Sequence, residues 1–156
     1  MENAKQLLIV YYSRSGQTEL MAEHVIRGAR NDAVEGIEVV VKSAIEATPA
    51  DVIQADGIIL GTPENFGYMS GAMKQFFETI YYPCIDHTKG LPYGLFIRAG
   101  NDGQGALTSM TRIITGLSWR QVIEPVIISG EFDDERLADC VELGMMLAAG
   151  LGTGIF

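Results

Sequence analysis

An open α/β sheet of parallel strands with helices on both faces is the fold class this sequence predicts, and three observations carry the prediction. Short apolar runs alternate with helix-periodic stretches along the whole chain. The runs Gln6–Tyr12 and Gly57–Gly61 are too continuously apolar for strands with one wet face, so both faces must be covered. Right-handed crossovers then leave few topologies, and a five-stranded parallel sheet of order 2-1-3-4-5 in a three-layer sandwich fits best. A six-stranded dinucleotide fold is disfavoured, because no Gly-x-Gly-x-x-Gly turn follows the first strand.

The first strand, Gln6–Tyr12, ends in a polar turn. Residues Gln17 to Arg30 place Leu20, Met21, His24, Val25, Gly28 and Ala29 at helical spacing, with Glu19, Glu23, Arg27 and Arg30 elsewhere on the wheel. This is an amphipathic helix. Strand two, Gly36–Lys42, alternates and is β-branched, which places it nearer an edge. Thr48 then caps a short helix with Pro49 at its first position, ending at about Gln54. Strand three, Gly57–Gly61, gives way to a loop from Thr62 to Met69, and Ser70 caps a helix reaching Tyr82. Strand four is Tyr93–Ala99; the glycine-rich loop Gly100–Gly105 leads into a helix ending near Gly116. Strand five lies between Arg120 and Ser129, where Pro125 demands an edge position or a bulge. The last helix runs from Asp133 to about Ala149.

The 156 residues are 47% apolar and 20% charged, enough for one globular domain over residues 1–156 and too apolar for disorder. Eleven basic against 20 acidic residues give a net charge of −9, which repels a polyphosphate backbone and argues against nucleic-acid binding. The amino-terminal residues show neither a basic leader nor a cleavage site, and no apolar segment approaches the roughly 20 residues of a membrane span. The expectation is a soluble, cytoplasmic protein. Cys84 and Cys140 have no neighbours at metal-ligand intervals, so no metal is expected; they read as reduced packing residues, with a disulfide as the alternative.

In such a sheet ligands bind beyond the carboxyl ends of the strands, so three loops matter most. The first reads Ser13, Arg14, Ser15, Gly16, Gln17, Thr18. Hydroxyls, a glycine turn and a helix start together make an anion site, and Arg14 is the one charged residue in that loop; the same residues also serve as an ordinary helix cap. The loop lacks a Walker pattern, which points away from phosphoryl transfer and towards a phosphate that anchors a cofactor. The second loop holds Pro63, Glu64, Asn65, Phe66, Gly67 and Tyr68, whose two aromatics suit either a flat heteroaromatic ring or a plug over the sheet end. The third, Ala99, Gly100, Asn101, Asp102, Gly103, Gln104 and Gly105, suits close passage of a ligand or a plain turn.

A phosphate cradle and a flat-ring slot on one sheet edge describe an FMN site. Tyr11 to Thr18 resembles the flavodoxin phosphate-binding signature. Gly61-Thr62-Pro63 with Phe66-Gly67, Met69-Ser70-Gly71, Met73-Lys74 and Phe77 resembles the flavodoxin-like NAD(P)H:quinone oxidoreductases of the WrbA type. The resemblance covers the chain in element order and implies a flavodoxin-like fold. It further implies that Ser13 to Thr18 hold the FMN phosphate, Pro63 to Tyr68 contact the isoalloxazine, and Ala99 to Gly105 close its other side. Hydride would come from NAD(P)H and leave to a quinone-like or other small acceptor. The alternative it implies is an electron carrier whose acidic surface docks a redox protein partner. It also suggests a homodimer using Tyr81, Tyr82 and the Trp119 region.

Two departures from that family stand out. Glu64 occupies a place where the family commonly has a polar or basic residue, so a carboxylate near the flavin is expected to lower its potential. The segment Gly116 to Arg120 lacks the histidine that the family's quinone reductases carry after the fourth helix. Elsewhere, His24 reads as packed and His87 as solvated, and Glu131, Asp133, Asp134 and Glu135 read as the capping region of the last helix. No acid or base side chain is assigned a catalytic role; that role falls to the flavin.

Overall fold

The structure, a computed structural model, describes residues 4–156. The elements run β1 (Lys5–Tyr11), α1 (Gln17–Ala29), β2 (Ile37–Ser43), α2 (Pro49–Gln54), β3 (Gly57–Asn65), β4 (Tyr68–Met69), α3 (Gly71–Ile85), β5 (Pro92–Ala99), α4 (Gln104–Leu117), β6 (Arg120–Gln121), β7 (Val126–Ser129) and α5 (Asp134–Gly152). Hydrogen bonding orders the strands β2-β1-β3-β5-β6, with β7 also on β5 and β4 on β3. Every pairing is parallel except that of β4. With β6 and β7 taken as one interrupted strand, this is the order 2-1-3-4-5.

Strand periodicity explains the layers. Leu7, Leu8, Ile9 and Val10 are all fully buried, yet alternate residues serve different cores. Leu8 and Val10 join Val52, Met73, Phe76, Phe77, Met110 and Ile114 beneath α2, α3 and α4. Leu7 and Ile9 join Met21, Val25, Leu143 and Leu147 beneath α1 and α5. The α1–α5 crossing is a backbone contact: a Cβ on Gly28 would collide with the Val141 carbonyl, and one on Gly144 with the Val25 carbonyl. Side chains read as caps do cap. Thr48 and Asp51 form a reciprocal capping box, Ser70 accepts from the Met73 amide, and Asp133 from that of Arg136.

Three boundaries differ from expectation. β3 does not stop at Gly61 but continues to Asn65, because Thr62 and Pro63 keep their register with Ile97 and Arg98 of β5. α3 runs through Pro83 to Ile85: the lost N–H bond is outweighed by burial of Cys84, whose carbonyl accepts from the His87 amide and the Thr88 hydroxyl at 2.9 Å each. The fifth strand is broken into β6 and β7, with Pro125 in the break. Among the described residues no helix is long and apolar enough to cross a membrane.

Both cysteines are free and buried. Burial pushes the Cys84 thiol from an ordinary 9.0 to about 11, and burial with the neighbouring Asp139 charge pushes Cys140 to about 12. Burial also raises Tyr11 and Tyr93. Unfolded, these groups release protons first, so their contribution to stability is complete below the unfolded thiol value and is lost as pH rises through the folded ones. Melting temperature should hold steady up to about pH 8.5 and fall above it. Thermal melts across that range check this, and Cys140→Ala should flatten the decline.

Candidate functional site

β1 and β3 are hydrogen-bonded neighbours, but their onward connections leave on opposite faces. α1 packs with α5 on one side, whereas β3 leads through β4 to α3 on the other. A crevice therefore opens at their carboxyl ends. The Tyr12 amide still donates to the Gly61 carbonyl at 3.1 Å, and beyond it the chains part.

On the α1 side, Gly16 occupies the N-cap position with φ 92°, a left-handed conformation suited to glycine, and nothing lies within 4 Å of where a Cβ would stand. The Ser13 hydroxyl accepts from the amides of Gly16 at 3.2 Å and Glu19 at 3.1 Å. Among the described residues no acceptor meets the amides of Gln17 and Thr18. Arg14, Ser15, Gly16 and Gln17 are exposed, while Thr18 is buried. Arg14 is not the only charge at this end. The Arg98 guanidinium of β5 reaches the loop, its Nε donating to Gln17 Oε1 at 2.8 Å. The sequence reading passed over Arg98, although an arginine after the apolar run Tyr93 to Ile97 was a visible signal.

On the β3 side, Glu64 pairs with Met69 and Asn65 with Tyr68 in a hairpin. Its two-residue turn has positive φ at both Phe66 (54°) and Gly67 (66°), as a type I′ turn requires. A left-handed phenylalanine costs about 1–2 kcal/mol, and this one is fully exposed beside a partly exposed Tyr68. Neither aromatic plugs the sheet end. At the hairpin base, the Ser70 amide donates to buried Thr62 Oγ1 at 3.0 Å.

The hairpin is docked on α4 through residues of both loops. Glu64 Oε2 accepts from the Ala106 amide at 3.2 Å, so the carboxylate expected beside a flavin serves as an acceptor at the α4 amino end. The close passage expected of a ligand at Gly105 is made by the protein itself: a Cβ there would collide with the Gly67 carbonyl. The Met69 amide adds a bond to Ser109 Oγ at 3.2 Å. In the third loop, Asp102 accepts from the Gln104 amide at 3.0 Å, and Gly103 is buried as the left-handed N-cap of α4. With Ala99 also buried, the stretch Gly100, Asn101 and Asp102 stays open. Behind Tyr68 a groove of about 570 Å³ runs along α4 past Gln104 and Arg112 to Lys74.

Other candidates lie elsewhere. Trp119 is buried, with its Nε1 donating to Thr88 Oγ1 at 2.8 Å; it precedes β6, which pairs with the start of β5 at the opposite end of the sheet from the crevice. Tyr82, by contrast, is exposed. The histidine-free segment Gly116 to Arg120 shares that far end. His24 is half-buried against the Leu20 carbonyl at 2.8 Å, and His87 is exposed.

The family model described as NADPH-dependent FMN reductase matches residues 20–133. Over 112 residues the chain is 38% identical to a protein of Aquifex aeolicus named flavodoxin, covering 72% of this chain and 60% of that one. Over 141 residues it is 31% identical to a quinone-oxidoreductase, QR2, of Triphysaria versicolor, covering 77% and 68%. A flavodoxin, WrbA-like protein from Agrobacterium tumefaciens superposes with a TM-score of 0.76 at 21% identity, over 97% and 99% of the two chains, a likeness of fold alone.

Gly105→Ala should force the hairpin off α4, lowering unfolding free energy by about 1–3 kcal/mol and speeding amide exchange at Met69. Urea denaturation and hydrogen exchange measure the two effects.

Proposed function

The chain belongs to the family of NADPH-dependent FMN reductases, and from that membership we propose that it is an FMN oxidoreductase drawing hydride from NAD(P)H and reducing a quinone-like acceptor. The observation carrying the reading is a contrast between two helix ends. At α4 the protein's own carboxylates, Glu64 and Asp102, already accept from backbone amides. At α1 those amides meet one neutral hydroxyl, Ser13, and two more stand open. A phosphate monoester matches that donor set.

FMN, when bound, supplies the hydride-accepting ring; the chain supplies binding and orientation. Ser13, Ser15 and the amides of Gln17 and Thr18 hold the phosphate, with Arg14 alongside. The segment Pro63 to Tyr68 flanks the ring, with Phe66 and Tyr68 presented by a hairpin that α4 immobilises. The open stretch Gly100 to Asp102 faces its other side, on the same sheet edge. Binding to a preformed hairpin loses less ordering entropy than binding to a loose loop. The quinone-like acceptor rests on the Triphysaria relative's name.

The alternative, an electron carrier docking a basic redox partner, is favoured by the net charge of −9 and by the Aquifex relative named flavodoxin. NADH or NADPH oxidation in the presence of a small quinone separates the two. Sustained turnover is expected; its absence, with electron acceptance from a reduced redox protein, would favour the carrier.

Fluorescence titration should find FMN bound far more tightly than riboflavin, and indifference to both flavins would sink either reading. Gly16→Val should lose the preference for FMN. The cause is the left-handed backbone that valine resists rather than a clash within the protein, since the space there is open.

A further inference from the structure

We propose that Arg98 is the countercharge for the cofactor phosphate and positions its cradle through Gln17, an inference that rests on the FMN reading above. β5 is buried from Pro92 to Ile97, and Arg98 follows, half-buried on the face that carries Phe96. The side chain is well held. Nε donates to Gln17 Oε1 at 2.8 Å, Nη1 donates to the Ile128 carbonyl at 3.2 Å, and the guanidinium lies 4.3 Å from the centre of the Phe132 ring. All three partners are neutral.

An arginine taken partly out of water normally recruits a carboxylate. This chain has 20 carboxylate side chains, yet among the described residues the one ion pair within 4.0 Å is Lys74–Glu78, far from Arg98 in sequence and on another element. A second cation lies close: Arg136, whose Nη1 donates to the Ser129 carbonyl at 2.6 Å. Burial, and then the charge of Arg136, lower the proton affinity of Arg98, so the two guanidinium groups raise the local positive potential together. That potential sits behind the first residue of α1, whose amide is one of the open donors. A phosphate monoester, close to a dianion at neutral pH, is the anion that this arrangement lacks. Arg98 thus adds formal charge to a cradle otherwise made of amides and hydroxyls, and its bond to Gln17 fixes the start of α1 against the end of β5.

The charge acts on the phosphate and not on the ring, so the test compares FMN with riboflavin. Dissociation constants of both are measured by flavin fluorescence at low and high salt for wild type, Arg98→Met, Arg98→Lys and Gln17→Ala. Arg98→Met should weaken FMN about tenfold, leave riboflavin within about twofold and flatten the salt dependence of FMN binding. Arg98→Lys keeps the charge and should retain most of the FMN affinity, and it carries the test if the methionine variant does not fold. Gln17→Ala should weaken FMN selectively, and the double variant Gln17→Ala with Arg98→Met, measured in the same way, should bind FMN about as weakly as Arg98→Met alone. Equal weakening of both flavins by Arg98→Met would reduce Arg98 to a structural residue and overturn the inference, as would an unchanged FMN constant. A wild type that binds neither flavin would instead overturn the FMN reading itself.

Discussion

Two adjacent parallel strands whose connections depart on opposite faces leave a gap at their carboxyl ends, and the candidate site of this chain is built around that gap. β1 turns towards α1 on one side while β3 runs on into its hairpin on the other, so neither connection covers the crevice. Backbone donors that would be silenced inside a sheet are left there at the mouth of a helix. The two walls differ in character. One is a turn around Gly16 that leaves amides free; the other is a hairpin fastened to α4 by Glu64, by the Met69 amide and by backbone contact at Gly105.

The distribution of charge follows from the same division. A chain with nine surplus negative charges has carboxylates to spare for helix starts, and it places them at α2, α4 and α5. At α1 the first-turn carboxylate, Glu19, accepts from no backbone amide among the described residues; a serine hydroxyl does so instead, with Arg98 held against Gln17 behind it. The net negative charge repels polyanions, and the proposed phosphate site relies on donors local to the start of α1.

Much of this was legible in the sequence because its physical causes are local. Thr48-Pro49, Ser70 and Asp133 announce helix starts through bonds to residues three positions away, and alternation in strands reports burial on two faces. What escaped was set by contacts between distant segments. The partner of the Glu64 carboxylate, the Ala106 amide, lies 42 residues later in the chain and leaves no local mark. Gly105 reads as a place of close backbone passage, and nothing local in the sequence says that the carbonyl of Gly67 makes such a passage. Strand β3 outlasted its apolar stretch because β5 offered continued pairing to Thr62 and Pro63. Pro83 stayed helical because core packing outweighed the preference of a single residue. Arg98 was the residue most out of character with its surroundings, and such mismatches in a buried strand mark the place to look.

The two buried thiols have a consequence of another kind. The proposed oxidoreductase role would place the protein among oxidants, and cysteine is the side chain such species attack most readily, through its thiolate. Cys84 and Cys140 hold their protons far above neutral pH and sit inside separate layers of the sandwich. Neither can partner the other without unfolding. The fold consequently needs no disulfide to stand, and among the described residues it offers no exposed cysteine thiol to an oxidant.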